Sequence, residues 1–130
     1  DLKGAVAMSQ ISWLSIVSDM RDLLSRSAIH VAPFRTTNGP SDYFISTLEA
    51  MSMGKVCVVS DLPGMAEVVR EGETGFCFRS GDSLDLQRAL SRAMECDRIA
   101  LGERARNFVI ENFGAAAVKT TNTLYGDFNA

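Results

Sequence analysis

The spacing of apolar and polar positions shifts between two periods along this chain, and one stretch organises the rest. Ile29 to Ala32 is a short apolar run. A polar loop with Gly39 and Pro40 follows, and apolar positions then recur at helical spacing as far as Met53. Gly54 stands just past the last periodic residue, where a helix usually stops. Val56 to Val59 is apolar and mostly β-branched, which predicts a buried strand. The unit reads strand, loop, helix, strand, with the loop at the carboxyl end of the first strand. Open parallel sheets bind ligands at that end, and a helix N-terminus there favours anions.

The flanking pattern extends the same alternation. Residues 1–10 are small and mixed and predict no element. Ile11–Leu14 predicts a short strand. Ser18 is the expected cap of a helix running through Ser27, with Met20, Leu23 and Leu24 as its buried stripe. After Ser60 a turn at Leu62-Pro63-Gly64 leads to a short helix with Met65, Val68 and Val69. Residues 71–75 form a turn, and Phe76–Phe78 a short strand. A helix follows over Ser83–Glu95, with Leu84, Leu86, Ala89, Leu90 and Ala93 apolar. Further helices are expected over Ile99–Asn112 and Ala115–Tyr125. Strands alternating with helices predict an α/β fold: a Rossmann-like parallel sheet of about four strands with helices on both faces. The 130 residues suit one domain, with residues 1–10 an uncertain segment.

Composition narrows the function classes. Apolar residues make up 46% of the chain, enough for a core, and the net charge of −3 gives no basic footprint for nucleic acid. No run is long and apolar enough to span a membrane, and no signal peptide is visible. Cys57, Cys77 and Cys96 have no metal-ligand spacing. Cys57 and Cys77 lie in apolar runs and read as small core residues. Reduced thiols suggest a cytoplasmic location. Peripheral association of a longer protein with a membrane stays open, as does the natural start of a chain that begins at Asp1.

Several residues near the organising loop suit chemistry. Glu49 offers a carboxylate that accepts two hydrogen bonds in one plane, which fits adjacent hydroxyls; a solvated helix carboxylate is the plainer reading. The backbone N–H groups around Tyr43, Phe44 and Ile45 open the helix without intrahelical partners and can hold an anion. Alternatively, Ser41 or Asp42 caps them. Thr47 offers one more hydroxyl. Arg35 at the strand exit can pair with phosphate or simply face solvent. Asn38 and Gly39 can bring backbone close to a ligand or merely turn the loop. His30, between apolar neighbours, reads as a packed histidine. Asp61 ends a strand but lacks the acidic pair and lysine of a phosphoacceptor site. Glu67 supports a site or is solvated.

Residues 48–60, from Leu48-Glu49-Ala50 through Gly54-Lys55 to Val56-Cys57-Val58-Val59-Ser60, resemble a signature of the glycosyltransferase family 4 (group 1) enzymes of GT-B architecture. Residues 61–69, 71–78 and 101–125 resemble the segments that follow it in that family, and residues 17–24 and 28–33 those before it. The resemblance covers roughly Ser12 to Phe128. It implies the C-terminal, donor-binding domain of a retaining enzyme that uses a nucleotide sugar, with no metal or other cofactor. It also implies that Glu49 holds the ribose and that the N–H groups near Tyr43–Ser46 hold the diphosphate. The family's histidine base lies in its other domain, so no catalytic residue is expected here.

The chain departs from the family at two positions. The family pairs its glutamate with another eight residues earlier, where Ser41 stands, with Asp42 adjacent; a glycine expected three positions later is Phe44. The donor sugar is therefore open. No match appears for the family's basic pair or its acceptor domain. The chain alone is thus expected to be inactive, and to need an N-terminal domain, a partner chain or self-association to complete its sheet. The alternative is a non-catalytic nucleotide-sugar-binding or partner-assembly module on the same fold.

Overall fold

The computed structural model describes residues 10–36 and 42–114, and of Asp42, Tyr43 and Phe44 the backbone alone. The elements are α1 (Met20–Arg26), β1 (Ile29–Ala32), α2 (Asp42–Ser52), β2 (Val56–Ser60), α3 (Met65–Val68), β3 (Gly75–Phe78), α4 (Ser83–Glu95) and α5 (Arg98–Phe113). The strands form one parallel sheet in the order β1-β2-β3. Ile29 lies opposite Val56, and Cys57 opposite Gly75.

All five residues of β2 are buried. The two-residue period of a strand divides them between two cores. Cys57 and Val59 join Leu24, Ala50, Met51, Met65 and Ala105 on one face. Val56 and Val58 join Phe76, Phe78, Ala89, Ala93 and Leu101 on the other. Helices therefore cover both faces, as a central parallel strand requires.

Helix ends follow side-chain capping. Asp82 accepts from the Leu84 and Asp85 N–H groups and starts α4. Asp97 accepts from Ala100 and starts α5. Gly54 closes α2 at φ 71°. Lys55 N–H donates to the Ala50 carbonyl (3.0 Å) and Gly54 N–H to that of Met51 (2.9 Å), a Schellman pair.

Four expectations need correction. Residues 11–14 form no strand, so among the described residues the sheet has three strands rather than about four. Trp13 and Leu14 are exposed, and no described strand lies beside them to supply a ladder. The first helix starts at Met20 because Asp19, not Ser18, accepts from the Asp22 N–H. Met20 is exposed, leaving Leu24 as that helix's buried residue. Leu84 is 76% exposed. The inward stripe of α4 is Leu86, Ala89, Leu90 and Ala93, and two residues of helix turn Leu84 about 200° from Leu86. The helix expected over Ala115–Tyr125 lies outside the described residues.

The two edges of the sheet differ. On the outer side of β3, Glu71 accepts from the Cys77 N–H (2.7 Å) and Arg88 donates to the Cys77 carbonyl (3.2 Å). Gly75 N–H donates to the Arg70 carbonyl, and the Gly75 carbonyl accepts from Gly72 N–H. That edge is closed by side chains and a turn, a usual defence against strand addition. Beyond β1, no strand lies among the described residues.

Candidate functional site

The carboxyl ends of the three strands are laced together. Inside, the buried Ser60 hydroxyl donates to the Ala32 carbonyl (3.2 Å), joining the last residue of β2 to the end of β1. Outside, Asp61 N–H donates to the Phe78 carbonyl (2.9 Å), and the Asp61 carboxylate accepts from the Ser80 N–H (2.9 Å). Ser80 Oγ in turn reaches the carbonyls of Phe34 (3.1 Å) and Arg35 (3.2 Å). Asp61 thus serves a strand junction.

From this edge α2 sets out. Its inner face is fixed by burial of Thr47, Ala50 and Met51. Ile45 and Glu49 lie four residues apart on the exposed face. Glu49 takes part in no ion pair among the described residues. Its Cβ leans toward the start of the helix, as all helical Cβ atoms do. Asp42, Tyr43 and Phe44 form the first turn with Ile45, so their N–H groups are those a helix leaves without intrahelical partners. Arg35 is exposed on the segment leaving β1. It lines a cleft of about 250 Å³ with Pro33, Phe78, Asp82 and Leu86.

The nominated residues therefore fall into three groups. Arg35, Ile45 and Glu49 are exposed, the first at the exit of β1 and the other two on α2. Asp42, Tyr43 and Phe44 have their backbone there. Asn38, Gly39 and Ser41 lie outside the described residues. Thr47 is only 1% exposed, and its hydroxyl lies 3.3 Å from His30 Nε2, so it serves the joint between α2 and β1 rather than a ligand. Burial lowers the His30 pKa, which keeps the imidazole neutral at neutral pH. Glu67 is solvated.

Neither core-facing thiol is a nucleophile. Burial pushes Cys57 up to about 12. Cys77 rises to about 11 through burial, with the charges of Glu71 and Asp61 adding to it. Among the described residues no group of three His, Cys, Asp or Glu side chains could hold a metal ion. Two clefts of about 350 Å³ are larger than the one beside Arg35. One opens at the amino ends of β1 and β2, around Ala28, Lys55 and Arg98. The other lies around Arg92, Cys96 and Arg104. Parallel sheets place ligands at the carboxyl end, which favours the smaller cleft.

Sequence reading missed Ser60, Ser80 and the carboxylate of Asp61. Their partners lie 28, 45 and 19 residues away in the chain. A lone serine after a strand gives no signal of that kind.

The parallel sheet and the helical layers on its two faces define a Rossmann-like α/β domain. The sequence profile of the family described as Glycosyl transferases group 1 matches residues 2–96, and the chain belongs to that family. It is 30% identical over 134 residues to a lipopolysaccharide core biosynthesis mannosyltransferase of Rhizobium leguminosarum bv. viciae, covering 98% of this chain and 37% of that protein. It is 30% identical over 91 residues to an N,N'-diacetylbacillosaminyl-diphospho-undecaprenol alpha-1,3-N-acetylgalactosaminyltransferase of Campylobacter jejuni, covering 70% of this chain and 23% of that one. Among solved structures, sucrose-phosphate synthase from Thermosynechococcus elongatus superposes with a TM-score of 0.66 at 24% identity. That match covers 79% of this chain and 26% of the synthase, and it shows the shared GT-B fold. The chain thus spans well under half the length of these relatives. No described helix is long and apolar enough to cross a membrane.

Proposed function

We propose that this chain is the donor-binding portion of a retaining glycosyltransferase that uses a nucleotide sugar. The observation that carries the reading is Glu49, exposed on the helix that follows β1, in a chain of the group 1 family. Its two carboxylate oxygens suit the adjacent hydroxyls of a ribose. One helical turn or two away, the first-turn N–H groups of Asp42–Ile45 suit a diphosphate, with the helix dipole favouring the charge. Arg35 supplies a cation for the same phosphates. In this reading the N–H groups and the Arg35 guanidinium are this chain's contacts to the diphosphate, and no metal is implied.

Transfer needs an acceptor hydroxyl aligned with the donor, and alignment accounts for much of the rate. The relatives' names include mannosyl and N-acetylgalactosaminyl transfer, so likeness chooses no sugar. Ser41 in place of a second carboxylate favours an alternative, a binding or assembly module that holds the nucleotide without transferring sugar. Saturation-transfer NMR with UDP-, GDP- and ADP-sugars tests both. One of the three is expected to bind through its nucleoside diphosphate, and the 130-residue chain to transfer no sugar. Binding of none removes the donor reading, and robust turnover removes the claim that the chain is only a portion.

Self-association belongs to the same reading. β3 is closed on its outer side, whereas β1 has no described strand beyond it, and Val31 and Phe34 are exposed nearby. A second copy pairing along β1 would satisfy that edge. Light scattering is expected to show a dimer that dissociates on dilution. A compact monomer at high concentration argues against it.

A further inference from the structure

We propose that Ser80 is a positioning residue of the donor site: its hydroxyl holds the segment leaving β1 in the course that presents Arg35 to the ligand. The proposal rests on the donor-site reading above and assigns a role to a residue outside it.

Residues 33–36 are exposed, so burial does little to fix them. Their course depends on polar ties, and Ser80 Oγ supplies two, to the carbonyls of Phe34 (3.1 Å) and Arg35 (3.2 Å). A serine hydroxyl has one hydrogen, so the two carbonyls share it in a three-centre bond or take it in turn. Either way the hydroxyl sits between consecutive peptide units and restricts the rotation of both.

Ser80 is itself held from two sides. Its N–H donates to the Asp61 carboxylate (2.9 Å). It also lies within the turn closed by Asp82 N–H on the Arg79 carbonyl (3.0 Å), and Asp82 caps α4. A fixed helix start therefore carries the hydroxyl, and the hydroxyl carries the β1 exit. The cleft beside Arg35 runs between these two segments, with Pro33 and Arg35 on one wall and Gly81, Asp82 and Leu86 on the other. Ser80, next to Gly81, ties one wall to the other through the Phe34 and Arg35 carbonyls.

The test uses the full 130-residue chain as parent, Ser80→Ala and Ser80→Thr. Three readouts separate positioning from general stability: ¹⁵N order parameters at Phe34, Arg35 and Thr36; affinities for UDP, GDP and ADP by calorimetry; and the urea midpoint. In Ser80→Ala the order parameters are expected to fall from about 0.85 toward about 0.6 at these residues alone. Affinity for the nucleoside diphosphate that binds the parent is expected to fall about three- to tenfold, the scale of one neutral hydrogen bond. The urea midpoint should hardly move. Ser80→Thr keeps the hydroxyl and should restore both readouts. If Ser80→Ala leaves segment order and affinity unchanged, or Ser80→Thr fails to restore them, the role of Ser80 falls. If Ser80→Ala lowers order throughout the chain and shifts the midpoint, the serine is structural and the proposal is overturned. If the parent binds none of the three nucleotides, the donor-site reading falls and takes the positioning role with it.

Discussion

Gly102→Ala is expected to destabilise the chain by about 2 kcal/mol or more, lowering the urea midpoint clearly below that of the parent. Local propensity says the reverse, since alanine is favoured over glycine inside a helix by about 1 kcal/mol. The tertiary contact decides the sign. Gly102 is buried in α5, where a Cβ would lie 2.1 Å from the Gly54 carbonyl oxygen and 2.9 Å from its carbon. Both are backbone atoms, so no rotamer change relieves the overlap. Gly54 cannot retreat easily, because its left-handed conformation closes α2 through the bonds to Ala50 and Met51. The helix α5 must move instead. Leu101, Ala105 and Val109 move with it, and they belong to the cores on both faces of β2. Overpacking costs typically about 1–3 kcal/mol and sometimes more, and a rigid backbone neighbour puts this case at the high end. Glu103→Ala, next along the helix and exposed, is the control and should change little. An unchanged or raised midpoint for Gly102→Ala would mean that α2 and α5 do not meet at these glycines.

Glu49→Gln is expected to weaken nucleoside diphosphate binding by about 1.5–3 kcal/mol, the worth of charge-assisted hydrogen bonds lost to a neutral amide. That corresponds to roughly 10- to 150-fold in affinity. The fold should survive, because Glu49 is exposed and joins no ion pair among the described residues. Thermal unfolding should therefore match the parent while calorimetry shows the loss. The contrast with Thr47, two residues earlier, makes the test sharper. Thr47 is buried against His30, so Thr47→Val should act on stability rather than on binding. Equal affinity of Glu49→Gln and parent would remove Glu49 from the site.

The two variants show which parts of the molecule were legible in the chain. Sequence places Glu49 on α2, ends that helix at Gly54 and follows it with β2, and the structure agrees. Each of these depends on neighbours within a few residues: apolar spacing, a left-handed glycine and a β-branched run. The start of α4 after Asp82 and its inward Leu86, Ala89, Leu90 and Ala93 are local in the same sense. Family membership rests on the order of such segments along the chain.

What lies beyond a few residues was decided by the tertiary structure. Ile11–Leu14 has the composition of a strand, yet a strand exists only beside a partner, and no described strand lies there. Leu84 is apolar but sits off the inward stripe of its helix, so it faces water. The serines that fasten the sheet's carboxyl edge find carbonyls 28 and 45 residues away. The close approach of Gly54 and Gly102 joins two helices separated by two strands and two other helices. Local sequence settles backbone conformation because its energy terms act between near neighbours. Long-range contacts depend on which surfaces the fold brings together, and single residues carry no mark of that.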